Sequence, residues 1–153
     1  MLLVVFILFF AACFNDIAFI PKNFKYKKYK KGRISSSFNK RKKINFGFYA
    51  LKSLEPARLT YNQIEAARKY IKKKIKPFGG IIKRKVNLKI PVTSKSAMSR
   101  MGRGKGKVDF HIAPVRCGQI LYEIYCLNHA QAYEASLKAI HKLPIKIKIE
   151  KKI

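Results

Sequence analysis

The stretch TYNQIEAARKYIKKKIKPFGGIIKRKVNLKI, residues 60–90, passes from a helical pattern to an extended one. Thr60 and Gln63 have the spacing of a capping box, in which two residues satisfy the free backbone groups at the start of a helix. Apolar residues then recur at helical spacing before Pro77, namely Ile64, Ala67, Ile71 and Ile75. This pattern predicts one helix over about residues 61–75.

Beyond Gly79 and Gly80 the apolar residues fall mainly on every second position, which is the period of a β-strand. The inward face of this predicted strand consists of Ile82, Val86, Leu88 and Ile90. We expect Pro91 to end the strand, and residues 92–107 to form a loop.

Three further elements are predicted downstream. The stretches VDFHIAPV (108–115) and QILYEIY (119–125) indicate two strands that form a hairpin through Cys117 and Gly118. Asn128 with Gln131 caps a second helix, and its expected inner side carries Tyr133, Leu137 and Ile140. IKIKI (145–149) alternates as a last strand with its isoleucines inward. The order predicts an α+β domain in which two helices pack on one face of a mainly antiparallel sheet, a two-layer sandwich.

The 153-residue chain divides into three parts. We expect a hydrophobic N-terminal extension at 1–20, an extended basic arm at 21–53, and the α+β domain at 54–153 with its basic loop at 92–107. The apolar run that opens the extension is shorter than the roughly 20 residues of a spanning helix, and it lacks the basic start and cleavage site of a secretory signal. It either docks on a neighbour or lies at a membrane.

Charge dominates the composition. Thirty-five Lys and Arg against seven Asp and Glu give a formal net charge of +28, which requires a polyanionic partner. Nucleic acid is the commonest such partner, because neutralised phosphates release counterions. Aromatic residues interleave with the cations of the arm and favour RNA, since rings stack on unpaired bases. The cations expected to bind RNA there are Lys25, Lys27, Lys28, Lys30, Lys31 and Arg33, joined on the first helix by Arg68 and Lys72.

The stretch SRMGRGKGKVDF, residues 99–110, combines alternating glycines with cations. Such a backbone can approach a ligand closely and direct its N–H groups at phosphate, which suits a loop inserted into folded nucleic acid. A Walker loop fits this stretch less well, because the loop runs into a strand and no Ser or Thr follows a Gly-Lys pair here. The candidate binding residues are Arg100, Met101, Gly102, Arg103, Gly104, Lys105, Gly106 and Lys107.

The sequence gives little support to an enzyme. The acids are scattered without paired carboxylates, and the three histidines lie in no recognisable nucleophile motif. Cys13, Cys117 and Cys126 form no CxxC pair; a site made of Cys117, Cys126 and His129 matches no standard ligand spacing, and reduced thiols packed in or near the core are preferred. We therefore expect no catalytic residue, no metal and no cofactor.

Five collinear stretches carry a family resemblance: KYKKGR, FGFYALKSLEPARLTYNQIEAAR, KIPVTSKSA, RMGRGKGKVDF and HKLPIKIKI. Over roughly residues 21–150 the chain resembles the bacterial-type L-sixteen family of large-subunit ribosomal proteins. That resemblance implies an α+β sandwich that binds large-subunit rRNA near the peptidyl transferase centre and the aminoacyl-tRNA site, beside other ribosomal proteins, and supports assembly without doing chemistry. Residues 100–107 would reach toward the catalytic centre and tRNA, and residues 25–33 would lie in rRNA.

Two departures from the family pattern stand out. His111 occupies the position of a usual tryptophan, and the hydrophobic extension has no counterpart. Lys outnumbers Arg 27 to 8, as an A+T-rich coding sequence would produce, which favours a mitochondrial ribosomal protein before a plastid or bacterial cytoplasmic one. Two other classes stay open: a membrane-associated basic protein that uses the extension and the arm, and a DNA-compacting protein or nucleic-acid-dependent enzyme.

Overall fold

The computed structural model describes residues 26–35, 43–102 and 104–152. The elements in this part of the chain are β1 Tyr49–Ser53, β2 Ala57–Thr60, α1 Tyr61–Ile75, β3 Ile81–Arg84, β4 Ile90–Ser94, β5 Lys107–Val115, β6 Ile120–Tyr125, α2 His129–Ile140 and β7 Ile147–Lys151. A short 3₁₀ helix, Lys76–Phe78, follows α1. The expected α+β class, with two helices packed against antiparallel sheet, is confirmed.

Helix α1 begins and ends where the sequence predicts. The backbone N–H of Thr60 donates to Oε1 of Gln63 at 3.0 Å, as the capping box requires. The four apolar residues at helical spacing, Ile64, Ala67, Ile71 and Ile75, are all at most 1% exposed. Burial of this stripe leaves the lysines of the last turn on the exposed side of the helix.

Helix α2 is capped as predicted, but it buries a different face. The side chain of Asn128 accepts from the backbone N–H of Gln131 at 3.3 Å. Tyr133 and Leu137 are 48% and 41% exposed, whereas Ile140 of the predicted side is partly buried against the core. The buried stripe is instead Ala132, Ala135, Ser136 and Ala139. Small side chains let α2 lie close to α1, so a face without large residues is the one that is covered.

The strands form two antiparallel sheets. The first has the order β3-β6-β1-β7, and the second has the order β2-β5-β4. Apolar side chains from both sheets and both helices meet in a single cluster, in which the hydroxyl of Tyr122 donates to the carbonyl of Ile64 at 2.6 Å. Burial raises the pKa of this hydroxyl well above its usual value.

The predicted hairpin between β5 and β6 is wrong. β5 pairs with β2 and β4, whereas β6 pairs with β1 and β3, so the turn at Cys117 and Gly118 carries the chain from one sheet to the other. Gly118 has a positive φ of 77°, and its N–H donates to the carbonyl of Ser53 at 2.7 Å. This bond ties the turn to the end of β1, where the chain enters the first sheet.

The single strand predicted between residues 81 and 90 is also wrong. The chain forms β3, crosses to the second sheet, and begins β4 at Ile90. Val86 and Leu88 are buried in the segment that connects the two strands. The alternating apolar residues therefore belong to β3, to this connection and to β4, and not to one strand. Pro91 does not end a strand but lies inside β4 opposite His111, where an edge strand tolerates the missing N–H.

Strand β1 lies within the range assigned above to the arm, although it is an inner strand of the first sheet and buried along its whole length. The residues before it are fastened by Glu123, whose carboxylate accepts from the backbone N–H groups of Asn45 and Phe46 at 3.2 and 3.3 Å. A last strand is present, but it begins two residues later than predicted: β7 pairs with β1, and Ile147 and Ile149 pack against the core. Ile145 is buried before the strand begins. The folded domain therefore includes residues upstream of 54.

Candidate nucleic-acid interface

The glycine-rich loop connects β4 to β5, and the two strands pair at its base. Ser94 and Lys107 pair at its base, and the side chain of Lys95 donates to the carbonyl of Gly102 at 2.9 Å across it. The predicted residues on it are exposed apart from the half-buried Gly106; these are Arg100, Met101, Gly102, Gly104, Lys105 and Lys107. Arg103 lies outside the described residues.

A cavity of about 640 Å³, open to solvent, lies between the two limbs of the loop. Its described charged residues are Lys95, Arg100, Lys105, Lys107 and Asp109. Four cations against one acid give this cavity a positive potential that attracts phosphate. Lys95 was not among the predicted site residues, because it lies before the glycine pattern that marked the loop.

Part of the arm lies against the loop. The ammonium group of Lys28 donates to the carbonyl of Lys105 at 2.7 Å, and the ammonium group of Lys105 donates back to the carbonyl of Tyr29 at 2.9 Å. Arg58 in β2 donates to the carbonyl of Gly32 at 2.5 Å. These bonds join two segments that are far apart in sequence. We call the described residues of 26–33 and 100–107 together the composite basic surface.

The predicted cations of the arm are brought to this surface. Lys27, Lys28, Lys30, Lys31 and Arg33 are all exposed, and so are Tyr26 and Tyr29 at 56% and 51%. Lysines interleaved with exposed rings are suited to backbone phosphates and unpaired bases. Lys25 lies outside the described residues. Sequence reasoning missed the contribution of Arg58, which nothing in the local pattern of β2 marks as part of a site.

The two predicted residues on α1 differ in their surroundings. Lys72 is exposed on the cationic side of the helix. The guanidinium of Arg68 instead donates twice to the carboxylate of Glu65, at 2.9 and 2.6 Å. These hydrogen bonds, with the charge of Arg68, hold the pKa of Glu65 below its usual value. Arg68 therefore lies in a largely buried ion pair, and Lys72 is the residue of the two that faces solvent.

Other chemistry finds no support in the described part of the chain. There, no three His, Cys, Asp or Glu side chains are grouped so that they could hold a metal ion. Cys117 donates to the carbonyl of Leu54 at 2.7 Å, and Cys126 is buried in the core. No helix among these residues has both the length and the apolar character to cross a bilayer. The predicted hydrophobic extension at 1–20 lies outside the described residues.

Comparison with known proteins gives a family match over residues 21–150, to the family described as ribosomal protein L16p/L10e. A Sulfurihydrogenibium protein described as large ribosomal subunit protein uL16 is 43% identical over 133 residues, covering 87% of this chain and 96% of the relative. A protein of the same description from Borrelia garinii subsp. bavariensis is 44% identical over 126 residues, covering 82% of this chain and 91% of the relative. Neither relative supports the membrane-associated alternative.

Proposed function

The chain belongs to the ribosomal protein L16p/L10e family and is a structural, non-enzymatic component of the large ribosomal subunit, and from that membership we propose that its composite basic surface binds large-subunit rRNA. The observation that carries the proposal is the reciprocal bonding of Lys28 and Lys105, which unites the arm and the loop into one exposed cationic surface. Backbone phosphates neutralise such a surface, and its rings accept bases.

The glycine-rich loop is the part of this surface that we assign to the peptidyl transferase centre and to tRNA in the aminoacyl site. Its Met101 is 96% exposed, and Gly102 and Gly104 have open space where a Cβ would lie. A projecting main chain without side-chain bulk can approach folded RNA closely, and its N–H groups can contact phosphate. By occupying that region the protein supports late subunit assembly and translation.

The test compares two double variants of equal charge. The first variant, Arg100→Ala with Lys107→Ala, removes two exposed cations of the composite basic surface. The control, Lys151→Ala with Lys152→Ala, removes two exposed cations at the end of β7, outside that surface. The first pair should weaken binding to a large-subunit rRNA transcript and reduce the salt dependence by a slope of about 2, since each lost phosphate contact lowers it by about 1. Equal effects of the two pairs would refute the assignment of this surface.

We further propose that the ribosome in question is mitochondrial. The ratio of 27 Lys to 8 Arg supports an A+T-rich coding sequence of the kind found in organelles. Both relatives are bacterial, which fits the alternative of a bacterial cytoplasm. Hybridising a probe for the coding sequence to purified organellar and chromosomal DNA distinguishes the two: a signal confined to chromosomal DNA of a bacterium would refute the organellar origin.

A further inference from the structure

A second cavity, of about 490 Å³, opens where β2 turns into α1. Thr60, the last residue of β2, lies opposite Ile112, whereas β5 begins at Lys107. Residues 107–111 of β5 therefore extend beyond β2, and one side of this strand is uncovered there. The cavity is lined by Thr60, Tyr61, Asn62, Asp109, Phe110 and His111, and we call it the base cavity.

Two aromatic side chains in the base cavity remain accessible. Tyr61 is 41% exposed and Phe110 is 42% exposed. Unpaired RNA bases stack on such rings, and the stacking tolerates any base because every base has a π-face. The site is continuous with the glycine-rich loop, because Asp109 lines both this cavity and the cationic cavity of the loop. An RNA strand whose phosphates follow the loop can thus place a base here.

Asp109 gives the base cavity a chemical preference. It is one of seven acids in a chain of net charge +28, and it lies beside the cations of the loop, where its carboxylate can accept hydrogen bonds from RNA donors. Its Oδ2 accepts from the hydroxyl of Ser94 at 3.2 Å, and a carboxylate has four acceptor positions. Guanine alone among the RNA bases presents two adjacent donors, N1–H and N2–H, on its Watson–Crick edge.

We propose that the base cavity binds an unpaired guanine of the large-subunit rRNA. The base packs on the accessible rings of Tyr61 and Phe110, and the carboxylate of Asp109 accepts from guanine N1–H and N2–H. The proposal rests on the proposed rRNA-binding function and adds a base-specific contact to the phosphate contacts of the composite basic surface.

The first test uses the single-stranded RNA hexanucleotides UUGUUU and UUAUUU, with binding followed by fluorescence anisotropy. The full chain should bind the guanine probe about tenfold more tightly than the adenine probe, the size of one good set of base-edge contacts. Phe110→Ala should weaken binding of the guanine probe by about tenfold through lost stacking. Phe78→Ala is the matched control, because Phe78 is 40% exposed outside this cavity and should leave binding unchanged.

The second test isolates the carboxylate. Asp109→Asn should abolish the preference for guanine over adenine, because an amide offers one acceptor and one donor where the carboxylate offers two acceptors. Removing a negative charge tightens binding of both probes, so the ratio of the two affinities is the readout. Glu134→Gln, which neutralises an acid on α2, should leave that ratio at about tenfold.

Equal binding of the two hexanucleotides by the unmodified chain would overturn the proposal, and so would equal effects of Phe110→Ala and Phe78→Ala. If Phe110→Ala does not fold, as judged by circular dichroism, Phe110→Leu keeps the apolar volume, removes the ring and should weaken the guanine probe in the same direction. A chain that binds the large-subunit rRNA transcript but shows no guanine preference overturns the base cavity alone. A chain that does not bind the transcript overturns the proposed function itself.

Discussion

A methyl group at residue 106 tests how the glycine-rich loop is anchored. A Cβ at Gly106 would lie 2.1 Å from the carbonyl oxygen of Ser94 and 2.5 Å from its carbonyl carbon. Non-bonded carbon atoms settle at about 3.5–4.0 Å, so β4 and the base of the loop have to separate by about 1 Å. Because Ser94 pairs with Lys107 at the end of the β4–β5 ladder, this movement opens the last pair of the sheet.

We expect Gly106→Ala to lower the free energy of unfolding by about 2 kcal/mol, the cost of forcing extra volume into a closed contact. For a chain of this size that loss corresponds to a fall in Tm of about 4–8 °C. Thermal unfolding of the free protein, followed by circular dichroism, measures it. An unchanged Tm would refute the close approach of the loop to Ser94.

Gly104→Ala is the matched control, since a Cβ at Gly104 meets nothing within 4 Å. Its unfolding free energy should stay within about 0.5 kcal/mol of the parent chain. Its affinity for the large-subunit rRNA transcript should nevertheless fall, because a methyl group obstructs the proposed approach of the main chain to RNA. Full rRNA affinity in Gly104→Ala would contradict the assignment of that stretch to the RNA contact.

Three further outcomes follow from the ion pairs. Arg68→Ala should lower stability by about 2 kcal/mol, because it removes both hydrogen bonds from the guanidinium to the largely buried carboxylate of Glu65, whereas Lys72→Ala should leave stability unchanged and weaken rRNA binding; the reverse pattern in urea unfolding and filter binding would contradict the placement of both. The pKa of Glu65 in the folded chain is lowered from an ordinary 4.5, so the ionised carboxylate stabilises the fold above that pH. This stabilisation is lost as the pH falls through the lowered pKa of the folded state. Unfolding curves of Glu65→Gln and of the parent chain should therefore differ at pH 7 and converge in acid. Glu123→Gln should cost about 2 kcal/mol in the same assay, because it removes the charge that pairs with Lys85 at 3.0 Å and a carboxylate that accepts two backbone N–H groups; parent-like stability would refute the role of Glu123 in holding the segment before β1.

Local patterns predicted the helices well, because their signals lie within a few residues of one another. The capping residues Thr60 and Asn128 and the apolar stripe of α1 are of this kind. Strand partners were predicted poorly, because neighbours in sequence need not pair: β5 and β6 join different sheets. β1 escaped prediction because it is buried on both faces and includes Lys52, which is neutralised by Glu150 at 2.9 Å.

The candidate site was only partly foreseeable for the same reason. Glycines and cations marked the loop, and the charge run marked the arm, since both are features of composition. The contact between them had no signal, because Lys28 and Lys105 bond to main-chain carbonyls that any sequence offers. The base cavity likewise depends on where β2 ends relative to β5, which is a property of register.

Sedimentation of a lysate through a density gradient after a high-salt wash tests whether the chain is an integral, rRNA-bound component of the large ribosomal subunit. The protein is located across the fractions by mass spectrometry. We expect the protein to stay with the large subunit, because contacts within folded rRNA survive the screening that removes loosely attached basic proteins. Its release into light or membrane fractions would refute the assignment of this chain to the rRNA of the large subunit.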